Sequence, residues 1–116
     1  RKNCGNKDTG IHRNNGNGTF TDVSVASNLY DPVQTWSAAW ADFDNDGDMD
    51  AIIGASSTAD GSHKFMNNLG NGTFGDITAG SGWDTNTSTN IEHIAYDFNN
   101  DGWIDVMGGG NKIMMN

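Results

Sequence analysis

The stretch Asp42-Phe43-Asp44-Asn45-Asp46-Gly47-Asp48-Met49-Asp50 returns, altered, as Asp97-Phe98-Asn99-Asn100-Asp101-Gly102-Trp103-Ile104-Asp105. Both follow the spacing D-x-[DN]-x-D-G-x-x-D. Oxygen side chains at loop positions 1, 3, 5 and 9, with a backbone carbonyl at position 7, suit a hard cation of high coordination number such as calcium. The glycine at position 6 admits the sharp turn that such a loop makes. A helix-loop-helix calcium site also needs a bidentate acid at position 12, where this chain has Ile53 and Gly108. The flanks, moreover, read as strands.

Working outward, the acidic loops are two beats of a longer repeat. Asn17-Gly18-Thr19-Phe20-Thr21-Asp22-Val23 matches Asn71-Gly72-Thr73-Phe74-Gly75-Asp76-Ile77, and both pairs of matches are about 55 residues apart. Lys112-Ile113-Met114-Met115-Asn116 echoes His63-Lys64-Phe65-Met66-Asn67 and Ile11-His12-Arg13-Asn14. Periods of this size point to propellers and solenoids. Before the first loop, Trp36, Ala38, Trp40 and Asp42 fall on one face and Ser37, Ala39, Ala41 and Phe43 on the other, the period of a strand. The second copy runs from Ile91 to Phe98. Ala51-Ile52-Ile53-Gly54 and Val106-Met107-Gly108 follow the loops, so each loop joins two strands of a hairpin, and the Asn-Gly pairs supply the next tight turn.

Four strands per unit are expected, at 35–41, 50–54, 63–68 and 73–78, which is the content of a propeller blade. The fold class is all-β, with about two four-stranded antiparallel propeller-type blades, incomplete at both ends. Residues 1–10 read as an N-terminal extension, and 11–34 as the last strands of one blade and a connection. Residues 35–79 form a complete blade with the first loop, and 80–116 a connection and the first three strands of the next blade. Pro32 and the Ser/Thr/Asn-rich stretch Gly80 to Asn90 belong to the connections.

The composition supports a fold that leans on something other than apolar burial. In 116 residues only 34% are hydrophobic, and the mean hydropathy is -0.61. The formal charge of -9 is nearly all aspartate, with Glu92 the only glutamate, and eight of the aspartates lie in the two loops, where a cation neutralises them. Six scattered Lys and Arg make no basic stripe, which excludes nucleic acid as a partner. Cys4 stands alone, so no intrachain disulfide is possible. No apolar run is long enough to span a bilayer, so membrane insertion is not expected. There is no initiator Met or signal-like segment, and the chain reads as a processed product or an excised piece.

Asn-Gly-Thr-Phe leading into a strand, followed by Ala41 and the Asp42–Asp50 loop, resembles the FG-GAP-like, VCBS-type repeat, over about residues 12–116. The resemblance implies calcium-loaded β-propeller blades related to those of integrin α-subunits. It also implies a secreted or cell-surface location and an adhesive, glycan-binding or scaffolding role. It implies one calcium held by Asp42, Asp44, Asp46 and Asp50 with the Asp48 carbonyl. A second would be held by Asp97, Asn99, Asp101 and Asp105 with the Trp103 carbonyl. Asn99 in place of an acid and Trp103 in place of Asp48 make the second site the less charged and the weaker.

Catalytic signals are weak, and no enzyme is expected. His12, His63 and His93 come without a His-x-x-x-His or Glu-paired motif, and read as strand histidines with ordinary partners. Glu92 and His93 are strand neighbours facing opposite ways. No G-x-S-x-G elbow is present. Among the aromatics, Trp36 and Trp40 read as packing between blades, and Trp83 and Trp103 as exposed candidates for stacking on glycans. Asn17, Asn71 and Asn86 fit the N-glycosylation pattern; the first two also serve turns, and Asn86 lies outside them. Expected partners are adjacent propeller blades or copies of the chain, with glycans or cell-surface proteins beyond them. Three arrangements fit: a fragment of a larger secreted or cell-surface propeller, a subunit of a closed ring, or a head-to-tail filament joined by strand exchange.

Overall fold

The computed structural model describes residues 10–32, 35–55, 63–86, 92–108 and 112–116. Cys4, most of the 1–10 extension, Ile91 and the end of the polar connection at 87–90 lie outside the described residues. Three antiparallel sheets succeed one another along the chain. The first has two strands, β1 (His12–Asn14) and β2 (Phe20–Asp22). The second has four, β3 (Thr35–Ala41), β4 (Asp50–Ala55), β5 (Lys64–Asn68) and β6 (Phe74–Asp76), hydrogen-bonded in sequence order. The third has β7 (His93–Tyr96), β8 (Asp105–Gly108) and β9 (Lys112–Met114). All-β and open, these sheets are one complete blade flanked by parts of two others. The single helical element among the described residues is a 3-10 turn at Trp83–Thr85.

The Asn-Gly-Thr-Phe turns show how local chemistry fixes the outer hairpins. Gly18 and Gly72 take φ 85° and 84°, a left-handed region open to glycine at little cost. The asparagine before each glycine contributes its side chain instead. Asn17 Oδ1 accepts from Thr19 N and Oγ1 at 3.1 and 2.6 Å, and Asn71 Oδ1 accepts from Thr73 N and Oγ1 at 3.0 and 2.6 Å. These are Asx turns, in which a short polar side chain stands in for a backbone acceptor.

One register expectation is corrected. Val106 pairs with Met114 and Met107 with Ile113, as Ala51 pairs with Met66 and Ile52 with Phe65. Lys112–Asn116 is therefore the counterpart of Lys64–Asn68, not of His63–Asn67. Because strand side chains alternate, that one-residue slip moves each one to the other face.

The core is thin and lies between sheets. On one side of the second sheet Ala41, Phe43 and Ile52 pack with Val106 of the third, with Trp83 among them and Phe65, Ala95, Ile104 and Met114 around. Phe43 and Phe65 meet edge to face, with ring centroids 5.4 Å apart. On the other side Leu29 joins Ala51, Ile53 and Met66, flanked by Ile11 and Phe74. Trp83 is therefore a core residue, 4% exposed, and not the solvent-facing aromatic its polar neighbourhood predicts. Trp36 and Trp40 remain partly exposed, Trp40 meeting Phe74 edge to face at 6.0 Å. Among the described residues no sheet lies opposite that face of β3.

The largest fully buried side chains are two aspartates, Asp50 and Asp105. Their place in the loops explains why.

Candidate metal centre

Each acidic loop links the first two strands of its sheet and is folded by its own side chains. In the first, Asp42 Oδ1 accepts Asp46 N at 3.0 Å and Oδ2 accepts Gly47 N at 2.9 Å; Asp44 Oδ1 also accepts Asp46 N, at 3.2 Å. Asp46 Oδ1 accepts Asp48 N at 2.9 Å. The second loop repeats the set at Asp97, Asn99 and Asp101, with distances of 2.8 to 3.1 Å. Positive φ occurs at two positions per loop, at Asn45 and Gly47 (59° and 95°) and at Asn100 and Gly102 (61° and 92°). Asparagine is among the few L-residues that tolerate this region, so position 4 carries a constraint alongside the glycine at position 6.

The ninth-position aspartates clamp the sheet. Asp50 Oδ2 accepts Phe43 N at 3.0 Å and Oδ1 accepts Asn68 N at 2.8 Å; Asp105 does the same with Phe98 N and Asn116 N, both at 2.9 Å. Asp50 thus ties the start of its loop to the third strand of its sheet, and Asp105 ties its own to the segment just after β9. Two polar bonds also tie the first loop, one to the second loop and one to Asn116, just after β9. Asn45 Nδ2 donates to the Gly102 carbonyl at 3.3 Å, and Asn116 Nδ2 to the Phe43 carbonyl at 2.7 Å.

Oxygens converge unequally in the two loops. One carboxylate oxygen each from Asp42, Asp44 and Asp50 lies within 4.8 Å of the others. Asp46 is outside that trio, and the Asp48 side chain turns to Gly70, where an added Cβ would come within 2.9 Å of Oδ2. Among the described residues, no Lys or Arg side chain pairs with the three. A residue that the sequence pattern misses completes the cluster. The side-chain amide of Asn67, in β5, sets its nitrogen 3.1 Å from Asp50 Oδ1 and 2.9 Å from Asp44 Oδ2, and rotating the amide puts its oxygen there instead. No loop spacing reveals Asn67, because it reaches the site from across the sheet.

In the second loop, among the described residues, no such acidic trio forms. Asn99 replaces the acid at position 3, and its Nδ2 donates to Asp101 Oδ2 at 2.7 Å. The ionisation of the two loops differs accordingly. The Asp44 carboxyl is raised above its ordinary value, first by desolvation and then by the negative charges of Asp50, Asp46 and Asp42, against one lowering backbone bond from Asp46. The Asp101 carboxyl is lowered, first by the Trp103 N–H and then by Asn99.

The remaining candidates separate from this rim. His93 spans the inter-sheet contact, with Nδ1 2.5 Å from Ser37 Oγ and its ring 5.2 Å from Trp83. His63 meets the same indole at 6.4 Å, and a Cβ on Gly108 would overlap the His93 ring. Burial first, and then His63, lower the His93 pKa to about 4. Trp103 remains 44% exposed in its loop. No helix among the described residues is long and apolar enough to cross a membrane.

The family model of the FG-GAP-like repeat matches residues 4–53, a span that runs from before β1 through the first acidic loop and into β4. No curated protein matches the chain. Residues 54–116 lie outside the family match, and their likeness to the matched segment is internal: the same loop, the same clamp and the same strand order. Residues 4–53 of the chain are therefore similar to the FG-GAP-like repeat.

Proposed function

We propose that this is an extracellular calcium-binding propeller-blade module whose role is structural and adhesive. The observation that carries the reading is the convergence of Asp42, Asp44 and Asp50 within 4.8 Å. Among the described residues no basic side chain offsets their charge. Three converging carboxylates form an oxygen donor set suited to a hard cation, and the second loop repeats the same backbone path with an oxygen side chain at each of positions 1, 3, 5 and 9. Asp42, Asp44, Asp46 and Asp50 with the Asp48 carbonyl would hold one calcium. Asp97, Asn99, Asp101 and Asp105 with the Trp103 carbonyl would hold the other. Bound calcium removes carboxylate repulsion and stiffens each β-hairpin. Extracellular calcium is abundant enough to fill weak sites of this kind, which supports a secreted or cell-surface location.

The partner most in keeping with the fold is another blade of its own kind. Ile94, Tyr96 and Phe98 occupy the places that Ala39, Ala41 and Phe43 fill in the second sheet, yet they are exposed where Ala39, Ala41 and Phe43 are buried. A neighbouring blade, from the same polypeptide or from a second copy in a ring or filament, would cover them. Sedimentation over a range of concentrations separates these arrangements: a compact monomer rules out assembly between copies, and a discrete small oligomer rules out a filament. The glycan-binding alternative now rests on the exposure of Trp103, since Trp83 is buried. A glycan-array signal lost in Trp103→Ala would favour it.

The test of the main reading is thermal melting with calcium and with chelator. Chelation lowers the melting temperature, and Asp44→Ala reproduces part of that loss with calcium present. An unchanged melting temperature in chelator overturns the reading.

A further inference from the structure

We propose that Asn67 is an additional ligand of the first-loop cation, supplied by β5, and that it makes the two sites chemically unequal. The inference rests on the calcium reading of that loop. One atom of the Asn67 amide stands 2.9 Å from Asp44 Oδ2 and 3.1 Å from Asp50 Oδ1, and both carboxylates belong to the converging trio. Oxygens bound to one calcium at roughly 2.3–2.6 Å lie about 3 Å from their neighbours along the edges of a pentagonal-bipyramidal shell. The Asn67 amide therefore already occupies ligand-to-ligand spacing from two members of the set.

The amide has a use in either state. Without a cation its nitrogen donates to both carboxylates and offsets their charge. With a cation the amide rotates, its oxygen faces the metal, and its nitrogen turns to the Asn68 carbonyl, 3.4 Å away. The site has room for such a ligand. Calcium takes six to eight oxygens, Asp46 is outside the trio, and each Asp50 oxygen already accepts one backbone N–H.

The second loop offers no equivalent. Asn116 N bonds Asp105 as Asn68 N bonds Asp50, which places Met115 at the position of Asn67. A thioether is a soft donor and a poor partner for calcium.

The test is a calcium titration followed by NMR, with the Gly47 and Gly102 amides reporting the first and second loops separately. Asn67→Met, which copies the second loop, is expected to weaken the Gly47 transition about tenfold and leave Gly102 unchanged. Asn67→Asp retains an oxygen ligand and keeps or tightens first-loop binding. Met115→Asn tightens the Gly102 transition, and this gain does not depend on how well the Asn67 variants fold. If Asn67→Met leaves the Gly47 transition within about threefold of the parent, or if Asn67→Asp weakens it as much as Asn67→Met does, Asn67 serves only as a donor and the proposal is overturned. A parent chain in which neither glycine responds to calcium overturns the reading of the loops themselves, a result distinct from the other two.

Discussion

The two acidic loops share a backbone and differ in charge. Their nine-residue paths carry the same side-chain-to-backbone bonds, the same pair of positive-φ residues and the same buried aspartate at position 9. In the first, Asp44 accepts the Asp46 backbone N–H, and among the described residues no side-chain donor links the two carboxylates. In the second, Asn99 hands a hydrogen bond to Asp101 at 2.7 Å. The difference teaches that loop shape and cation demand are separable. Shape comes from carboxylate and amide oxygens accepting backbone N–H groups, and demand comes from the negative charge left over.

The most damaging changes should strike what the loops share. Asp50→Ala and Asp105→Ala each leave two backbone N–H groups without their acceptor, at about 1–3 kcal/mol apiece. Urea denaturation in chelator should show losses of similar size in both variants. A large loss in one alone would break the equivalence of the two clamps.

The next effect tests what the loops do not share. Asp44→Asn gives position 3 of the first loop the residue that the second carries and removes one negative charge: in chelator it should raise the melting temperature by a few degrees, and it should shrink the gain on adding calcium. Asn99→Asp should do the reverse in the second loop. Paired melting curves with and without calcium make the comparison, and equal calcium gains in parent and both variants would contradict it.

Much of this was legible in the sequence, for definable reasons. Loop spacing and the 55-residue repeat report local backbone demands, and these placed the hairpins and the chain order of the strands. Three features depended on contacts across the fold. Trp83 lies in a polar connection, yet the 3-10 turn carries its ring between two sheets. Met115-Asn116 resembles Met66-Asn67 by identity, whereas the Asn116–Asp105 bond assigns it to Asn67-Asn68. Asn67 itself joins the first loop from β5, where no spacing within the loop can signal it.

A smaller effect sets the sheet interface apart from the loops. His93 is held neutral, its pKa at about 4 through burial and then the charge of His63. In the unfolded chain it titrates near its ordinary 6.5. The unfolded state therefore takes the proton first, and His93's contribution to stability, complete above pH 6.5, is lost as the pH falls towards 4. Denaturation midpoints measured in chelator across this range should slope downward with acid, and His93→Gln should flatten that slope. The smallest change belongs to Trp103→Ala, whose side chain is exposed; stability should stay within about 0.5 kcal/mol of the parent.

The central claim, one loop architecture with two unequal demands for a cation, is tested most directly by a calcium titration resolved at the Gly47 and Gly102 amides. Both resonances should move, and Gly47 should saturate at the lower calcium concentration. Failure of either resonance to respond, or saturation of Gly102 before Gly47, would contradict the account.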